Sequence, residues 1–312
     1  MNYFLPVCGF LLLVSSCKSD KVAGKDSFVT QNVVVIVVDG PRYTETWGDS
    51  THANIPNRYA LLAEGVLADQ FFNNGNTITN PGHIAISSGN YDYVANDGSE
   101  LPHFQTLFQA WLNEHPEEDT TSCCFIASKD KLHILANDPV GVAGNRKPYS
   151  DCGVNGNGTG GYRSDSVTQA HVLTALQTLR PRLMLVNFKD PDSYGHMGDF
   201  SGYLAAIQQT DAYVAAIWNY LQSDPFYKDK TTLIVTNDHG RHTNGISTGF
   251  TSHGDGCEGC RRIEFFALSP DFKQGAIVFT PYEQTDISAT IAKMLGLPFP
   301  SGSGEVMTEL FR

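Results

Sequence analysis

Short apolar runs alternate with amphipathic stretches along the whole chain. Val33-Val34-Val35-Ile36-Val37-Val38 has no period-two alternation, which predicts a strand covered on both faces within a parallel sheet. Apolar runs at 124–127, 183–188 and 232–235 predict further strands of the same kind. Between them, helical spacing of apolar positions predicts helices over 57–64, 104–113, 164–179, 203–222 and 286–295, the last stopped by Gly296. Strand and helix in alternation give an α/β fold, with a mainly parallel central sheet sandwiched by helices.

The N-terminus reads differently. Cys8-Gly9-Phe10-Leu11-Leu12-Leu13-Val14 is apolar but too short to span a bilayer, so residues 1–16 read as a signal peptide, although no Lys or Arg precedes the block. Val14-Ser15-Ser16-Cys17 resembles a bacterial lipobox. A lipid on Cys17 would anchor an exported protein at a membrane surface, periplasmic or on the outer membrane. An ordinary secretory signal with Cys17 incidental is the alternative. Residues 17–28 then form a polar tether and 29–312 one catalytic domain.

A net charge of −12 excludes a basic nucleic-acid footprint. Beyond Cys17 stand Cys123, Cys124, Cys152, Cys257 and Cys260, an odd set for an oxidising compartment. Cys257-x-x-Cys260 has the spacing of a zinc half-site. A four-thiolate cage would need distant partners, so a local disulfide is the favoured reading. The Gly/Asn-rich stretch 153–161 reads as a mobile surface loop.

Ligand sites in open α/β sheets lie beyond the carboxyl ends of the strands, and there this sequence places metal-ligand chemistry. The run 33–38 ends in Asp39. The run 183–188 leads into Asp190-Pro191-Asp192-Ser193-Tyr194-Gly195-His196, and 232–235 leads into Asn237-Asp238-His239-Gly240. His253 follows in a Gly-rich loop. One Asp at a strand end is usually a turn former or helix cap, but three carboxylates and three imidazoles at one sheet edge exceed coincidence. Such a mixed set suits Zn²⁺, with Mn²⁺ or another divalent ion also compatible, and it suffices for two ions. In Asn76-Thr77-Ile78-Thr79-Asn80-Pro81-Gly82-His83, the Thr79 hydroxyl sits where a helix N-terminus would favour phosphate, or where it would merely cap that helix.

These motifs, in this order, resemble the alkaline phosphatase superfamily, particularly its nucleotide pyrophosphatase/phosphodiesterase branch and the periplasmic phosphatases that use threonine. The segments that carry the resemblance are Val37-Val38-Asp39-Gly40, Thr79 with His83 and Gly89, Asp192-Ser193-x-Gly195-His196, Asn237-Asp238-His239-Gly240, His253-Gly254 and the closing stretch 285–296. It implies an alkaline phosphatase-like fold and a two-metal phosphate-ester hydrolase acting on a small phosphorylated substrate. Asp39, Thr79, Asp238 and His239 would hold one ion, and Asp192, His196 and His253 the other. Thr79 would be the nucleophile and pass through a phosphothreonine. Sulfatases of the superfamily carry a Cys-x-Pro-x-Arg motif that this chain lacks.

The substrate reading turns on cations. Ser128-Lys129-Asp130-Lys131 resembles the Lys-Asp-Arg motif of the threonine-type phosphatases, with Lys131 replacing a bidentate arginine. Asn96 resembles the asparagine that contacts phosphate in both branches. Two lysines suit the extra charge of a monoester, so a phosphomonoesterase is favoured over a phosphodiesterase or nucleotide pyrophosphatase. A phosphoglycerate mutase is disfavoured because those enzymes use serine and a large inserted domain. A metal- or phosphate-binding lipoprotein without catalysis is the alternative from another class. His83, His103, His133 and His242 receive no role, and the oligomeric state stays open.

Overall fold

A computed structural model describes Met1 and residues 28–137, 146–298 and 302–312. The signal peptide, Cys17 and nearly all of the tether lie outside the described residues. The strands are β1 (Asn32–Val38), β2 (Val66–Ala68), β3 (Phe71–Phe72), β4 (Cys123–Ala127), β5 (Tyr149–Cys152), β6 (Leu183–Phe188), β7 (Thr231–Thr236), β8 (Phe265–Leu268), β9 (Ala276–Val278) and β10 (Tyr282–Glu283). Eight of them form one sheet in the order β5-β4-β6-β1-β7-β8-β2-β9. From β5 to β7 neighbours are parallel; β8 runs antiparallel to both β7 and β2.

The absence of alternation in β1 is explained by the two cores. Val33, Val35 and Val37 pack on one face with Phe125, Leu185 and Ile234, while Val34, Ile36 and Val38 pack on the other with Val172, Ile207 and Val214. The first face is covered by α2 (Thr79–Ser88), α3 (Leu107–Glu114) and α8 (Asp286–Leu295), the second by α4 (Asp165–Thr178) and α6 (Phe200–Ser223). The remaining helices are α1 (Pro56–Leu61), α5 (Asp190–Met197) and the single turn α7 (Glu258–Arg261).

The structure adjusts several expected bounds. The helix expected from 104 starts at Leu107, because Thr106 and Gln109 form a capping box. The segment after β6 is the helix α5, so Asp192 and His196 stand one turn apart on a single face. The Gly-rich stretch 153–161 is a surface run of tight turns, tied down by the Gly161 N–H donating to Asp130 Oδ2 at 2.9 Å. No described helix is long and apolar enough to cross a membrane.

One buried ionic pillar joins the layers. Arg58 of α1, fully buried, donates through Nε to Asp211 of α6 at 2.9 Å and pairs through Nη1 with Glu264 beside β8. Trp47 Nε1 donates to the second oxygen of Glu264 at 2.7 Å.

Candidate active site

The site forms where β1, β6 and β7 end, and each strand delivers a polar residue there. Asp39 follows β1, α5 begins two residues after β6, and Asn237-Asp238-His239 follows β7. Two glycines allow the close approach. A Cβ on Gly82 would sit 2.5 Å from the Asp238 carbonyl oxygen, so only glycine lets the first turn of α2 rest on that strand end. Gly40 has φ +69, and a Cβ there would meet Arg241 Nη1 at 2.9 Å and Asp192 Oδ1 at 3.0 Å.

The seven expected ligands converge. His196 Nε2 lies 3.1 Å from His253 Nε2, and each lies 3.3 Å from Asp192 Oδ1. Nearby, His239 Nε2 lies 3.5 Å from Asp39 Oδ1 and 3.4 Å from Asp238 Oδ2. A tetrahedral ion with bonds of roughly 2.0–2.1 Å sets its donor atoms about 3.3–3.4 Å apart; the first set and both His239 contacts of the second are close to that spacing, and donor atoms of Asp192, His239 and His253, like those of Asp39, His83 and Asp238, lie within 4.8 Å of one another. The sets adjoin: the His239 and His253 rings stack with centroids 3.7 Å apart.

Hydrogen bonding fixes which imidazole nitrogen faces inward. His239 Nδ1 bonds the Gly240 carbonyl at 2.9 Å and His253 Nδ1 bonds the Thr77 carbonyl at 2.8 Å. With Nδ1 carrying the proton, Nε2 of both rings offers a lone pair to the site.

The residues present fit divalent cations by two further observations. Asp39 Oδ1, Asp238 Oδ2 and His239 Nε2 are buried without a hydrogen-bond partner among the described residues, an arrangement that costs free energy unless something binds there. Burial and the neighbouring Asp39 charge also push the Asp238 carboxyl well above its ordinary range, while burial and the adjacent His253 hold His239 well below the usual imidazole value. That side of the site is short of positive charge. On the other side, burial alone would raise Asp192, but Lys129 and hydrogen bonds from His196 and His253 hold it well below the carboxylate range.

Thr79 is the first residue of α2, and the N-cap is Ile78 without a side-chain cap bond, so the Thr79 hydroxyl is not spent on capping. Lys129 Nζ donates to Thr79 Oγ1 at 3.0 Å. Burial works against the Lys129 ammonium, but Asp192, Asp39 and Asp238 outweigh it and hold its pKa above the ordinary lysine value. Asn96 Oδ1 accepts the Asn80 N–H at 2.9 Å, capping α2 from outside and leaving its amide nitrogen as the donor end. Lys131 Nζ donates to the Asn96 carbonyl at 2.8 Å; burial, with Lys129 close by, lowers its pKa to about 8. Thr79, Asn96, Lys129, Lys131, Asp192, His196 and His253 line one cavity of about 340 Å³, with Tyr162, Ser193 and Met197 completing the wall.

Three residues without an expected role support this constellation. His83 donates through Nδ1 to the Thr79 carbonyl at 2.9 Å, and its Nε2 lies 3.1 Å from Asn187 Nδ2. Burial lowers its pKa to about 4, so the ring is neutral; its Nδ1 also lies 3.5 Å from Asp238 Oδ2, which places it beside the Asp39 and Asp238 carboxylates. Asn187 Nδ2 also donates to Asp39 Oδ2 at 3.2 Å. Arg241 Nη1 donates to Asp192 Oδ1 at 2.5 Å, and its other nitrogens bond the Phe250 and Thr251 carbonyls. The signals were present but weak: Asn187 is a polar break in an apolar run, and Arg241 directly follows Asp238-His239-Gly240. His103, bonded to Asp92 at 2.8 Å, and His133, bonded to Ser150 at 3.3 Å, take no part in the ligand triangles. The expected local disulfide does not form: Cys257 and Cys260 are free thiols.

Phosphopentomutase of Symbiobacterium thermophilum is 29% identical over 150 residues, 48% of this chain and 34% of that protein; the chain thus spans about a third of that relative's length. In structure it is similar to phosphonate monoester hydrolase of Agrobacterium radiobacter, with a TM-score of 0.63 at 16% identity over 90% of this chain and 77% of that one. Murine ectonucleotide pyrophosphatase/phosphodiesterase 5 also superimposes with a TM-score of 0.63, at 14% identity over 90% of this chain and 100% of that one. The fold is therefore the alkaline phosphatase-like one. The model of the metalloenzyme superfamily matches residues 96–298, more than half of the sequence and every candidate ligand except Asp39 and Thr79, so the chain belongs to the metalloenzyme superfamily, the alkaline phosphatase-like group its motifs resemble.

Proposed function

We propose that this protein is a two-metal phosphate-ester hydrolase with Thr79 as nucleophile, and that phosphomonoesters are its preferred substrates. The observation that carries the proposal is the Thr79 hydroxyl, uncommitted to capping and 3.0 Å from Lys129 Nζ, in one cavity with Asp192, His196 and His253. Asp39, Asp238 and His239 would hold one ion together with Thr79; Asp192, His196 and His253 would hold the other. Bound divalent ions would lower the pKa of the attacking hydroxyl and neutralise charge on the phosphoryl oxygens.

The protein groups do the rest. Thr79 Oγ gives up its proton to solvent and attacks phosphorus, the bond to the leaving oxygen breaks, that oxygen takes up a proton from solvent, and a phosphothreonine forms. Water then attacks that phosphorus, inorganic phosphate leaves, and Thr79 regains its hydroxyl. Lys129, held protonated, is a donor rather than a base, and its position favours the anionic transition state. Lys131 and the Asn96 amide are placed to receive the remaining phosphoryl oxygens, and two cationic side chains favour the additional charge of a monoester.

A substrate panel tests this. The expected outcome is faster turnover of 4-nitrophenyl phosphate than of bis(4-nitrophenyl) phosphate, with Thr79→Ala losing roughly 10³-fold or more in kcat while keeping its metal. The reverse substrate order would move the enzyme to the diesterase branch. Likeness to a phosphopentomutase favours one second reading, in which the phosphothreonine is returned to a sugar rather than to water. Free phosphate from a pentose phosphate separates the two: a hydrolase releases it, a mutase yields the positional isomer. Export and lipidation at Cys17 belong to the same proposal and rest on the lipobox-like sequence.

A further inference from the structure

A second cluster of metal-binding side chains lies in the segment that carries His253, and the reaction above does not use it. His242, Asp255, Cys257 and Cys260 place one donor atom each within 4.8 Å of one another. The four come from a short stretch folded back on itself: the His242 N–H donates to the Ser252 carbonyl at 3.1 Å, and the Gly240 N–H donates to the Cys260 carbonyl at 2.8 Å. Cys260 is fully buried and His242 is 3% exposed, whereas Asp255 lies at the rim.

Two observations point to a ligand rather than to a chance cluster. His242 Nε2 stands 3.1 Å from Asp255 Oδ2, yet it is buried without an aligned hydrogen bond. The two atoms are close without being hydrogen-bonded to each other, and the Cys257 and Cys260 sulfurs lie within 4.8 Å of both. Nδ1 of the same ring faces Ser252 Oγ at 3.3 Å, which orients the ring and leaves Nε2 for the site. Cys257 and Cys260 are both free, although their spacing suits either a disulfide or a zinc half-site.

We infer that His242, Asp255, Cys257 and Cys260 form a third, structural site for a zinc ion, separate from the two donor triangles and closed against substrate. Four protein ligands of the Cys₂HisAsp type give a closed tetrahedral shell, with Zn–S bonds of roughly 2.3 Å and Zn–N and Zn–O bonds of roughly 2.0–2.2 Å. Such bonds place donor atoms about 3.3–3.8 Å apart. The histidine and aspartate, 3.1 Å apart, are already near that spacing, and both thiols lie within 4.8 Å of them. Cysteine deprotonates on binding and releases its proton to solvent. Thiolates held by zinc would also be kept from oxidising to a disulfide outside the cytoplasm. The ion would brace the loop from which His253 reaches the reaction centre.

The full-length chain, reduced and reconstituted with Zn²⁺, tests the site by elemental analysis and by cobalt spectroscopy. We expect three zinc ions per wild-type chain and two in the Cys257→Ser/Cys260→Ser variant. We expect Co²⁺ to give a thiolate-to-cobalt charge-transfer band in the wild type that the variant lacks. Equal metal content in the two folded proteins would overturn the inference. So would a reduced wild-type protein that binds Co²⁺ without the thiolate band, a reading that holds even if the double variant fails to fold. A peptide map of the zinc-loaded protein showing a Cys257–Cys260 disulfide would overturn it as well. Thr79→Ala keeps the band under this inference whether or not the hydrolase assignment stands.

Discussion

Lys129 Nζ touches Thr79 Oγ1 at 3.0 Å while pairing with Asp39 at 2.8 Å and Asp192 at 2.7 Å. One buried ammonium thus contacts the candidate nucleophile and a carboxylate from each donor set. In the metal-free protein it is a main counter-charge of the site, and bound cations would share that task. Lys129→Met is expected to destabilise metal-free protein by roughly 3–5 kcal/mol, because it strands buried carboxylates, and zinc-loaded protein by clearly less. Urea unfolding with chelator and with zinc reads the difference. An equal loss in both conditions would refute the shared role.

Lys131 sits two residues on, with its pKa lowered to about 8 by burial and by Lys129. Its charged form predominates below that pH and is the form that would bind phosphate; above it the neutral amine cannot serve as an ionic partner. KM for a phosphomonoester should therefore rise as pH passes upward through about 8. Lys131→Arg, charged throughout, should remove that limb. A KM profile unchanged by Lys131→Arg would show that Lys131 does not meet the substrate.

The ionic pillar offers a prediction about the fold instead of the chemistry. Arg58 is fully buried between Asp211 and Glu264, and removing it leaves two buried carboxylates without their cation. Arg58→Leu should cost roughly 3–5 kcal/mol in unfolding free energy and leave the kcat of the folded fraction near that of wild type. A loss below about 1 kcal/mol would mean that the carboxylates find other partners or protonate cheaply.

How much of this was legible in the sequence depends on the range of the interaction. The strand 33–38, buried on both faces, and the helices that cover it announce themselves through local patterning. The strands β2, β3, β9 and β10 hold two or three residues each, too few for a period to show. Phe265–Leu268 is buried throughout but is only four residues long, so nothing local marks it as the reversed strand. The candidate ligand residues were readable as a group because strand ends concentrate them. His83, Asn187 and Arg241 were not, because their roles arise from contacts across 104 residues for His83 with Asn187 and 49 for Arg241 with Asp192. The partners of Cys257 and Cys260 were missed for a related reason. The sequence reading sought two more thiolates, whereas the fold brings a histidine and an aspartate.

Asn187 supplies the sharpest test of that hidden layer. Its side-chain amide lies 3.2 Å from Asp39 Oδ2 and 3.1 Å from His83 Nε2, and its Oδ1 receives the Lys129 N–H at 3.4 Å. One side chain therefore links a candidate ligand, the histidine beneath Thr79 and the lysine beside it. Asn187→Leu keeps approximate volume but leaves Asp39 Oδ2 and His83 Nε2 each short of a donor in a buried site. Loss of such a supporting partner typically costs 10–100-fold in metal affinity or activity, so zinc titration should show weaker binding at the Asp39 site by roughly that factor. Asn187→Asp, which as a carboxylate cannot donate to either group but adds negative charge beside Asp39, should bind the cation more tightly than Asn187→Leu. If both variants titrate like the wild type, Asp39 is positioned by its strand alone, and the relay through Asn187 contributes only packing.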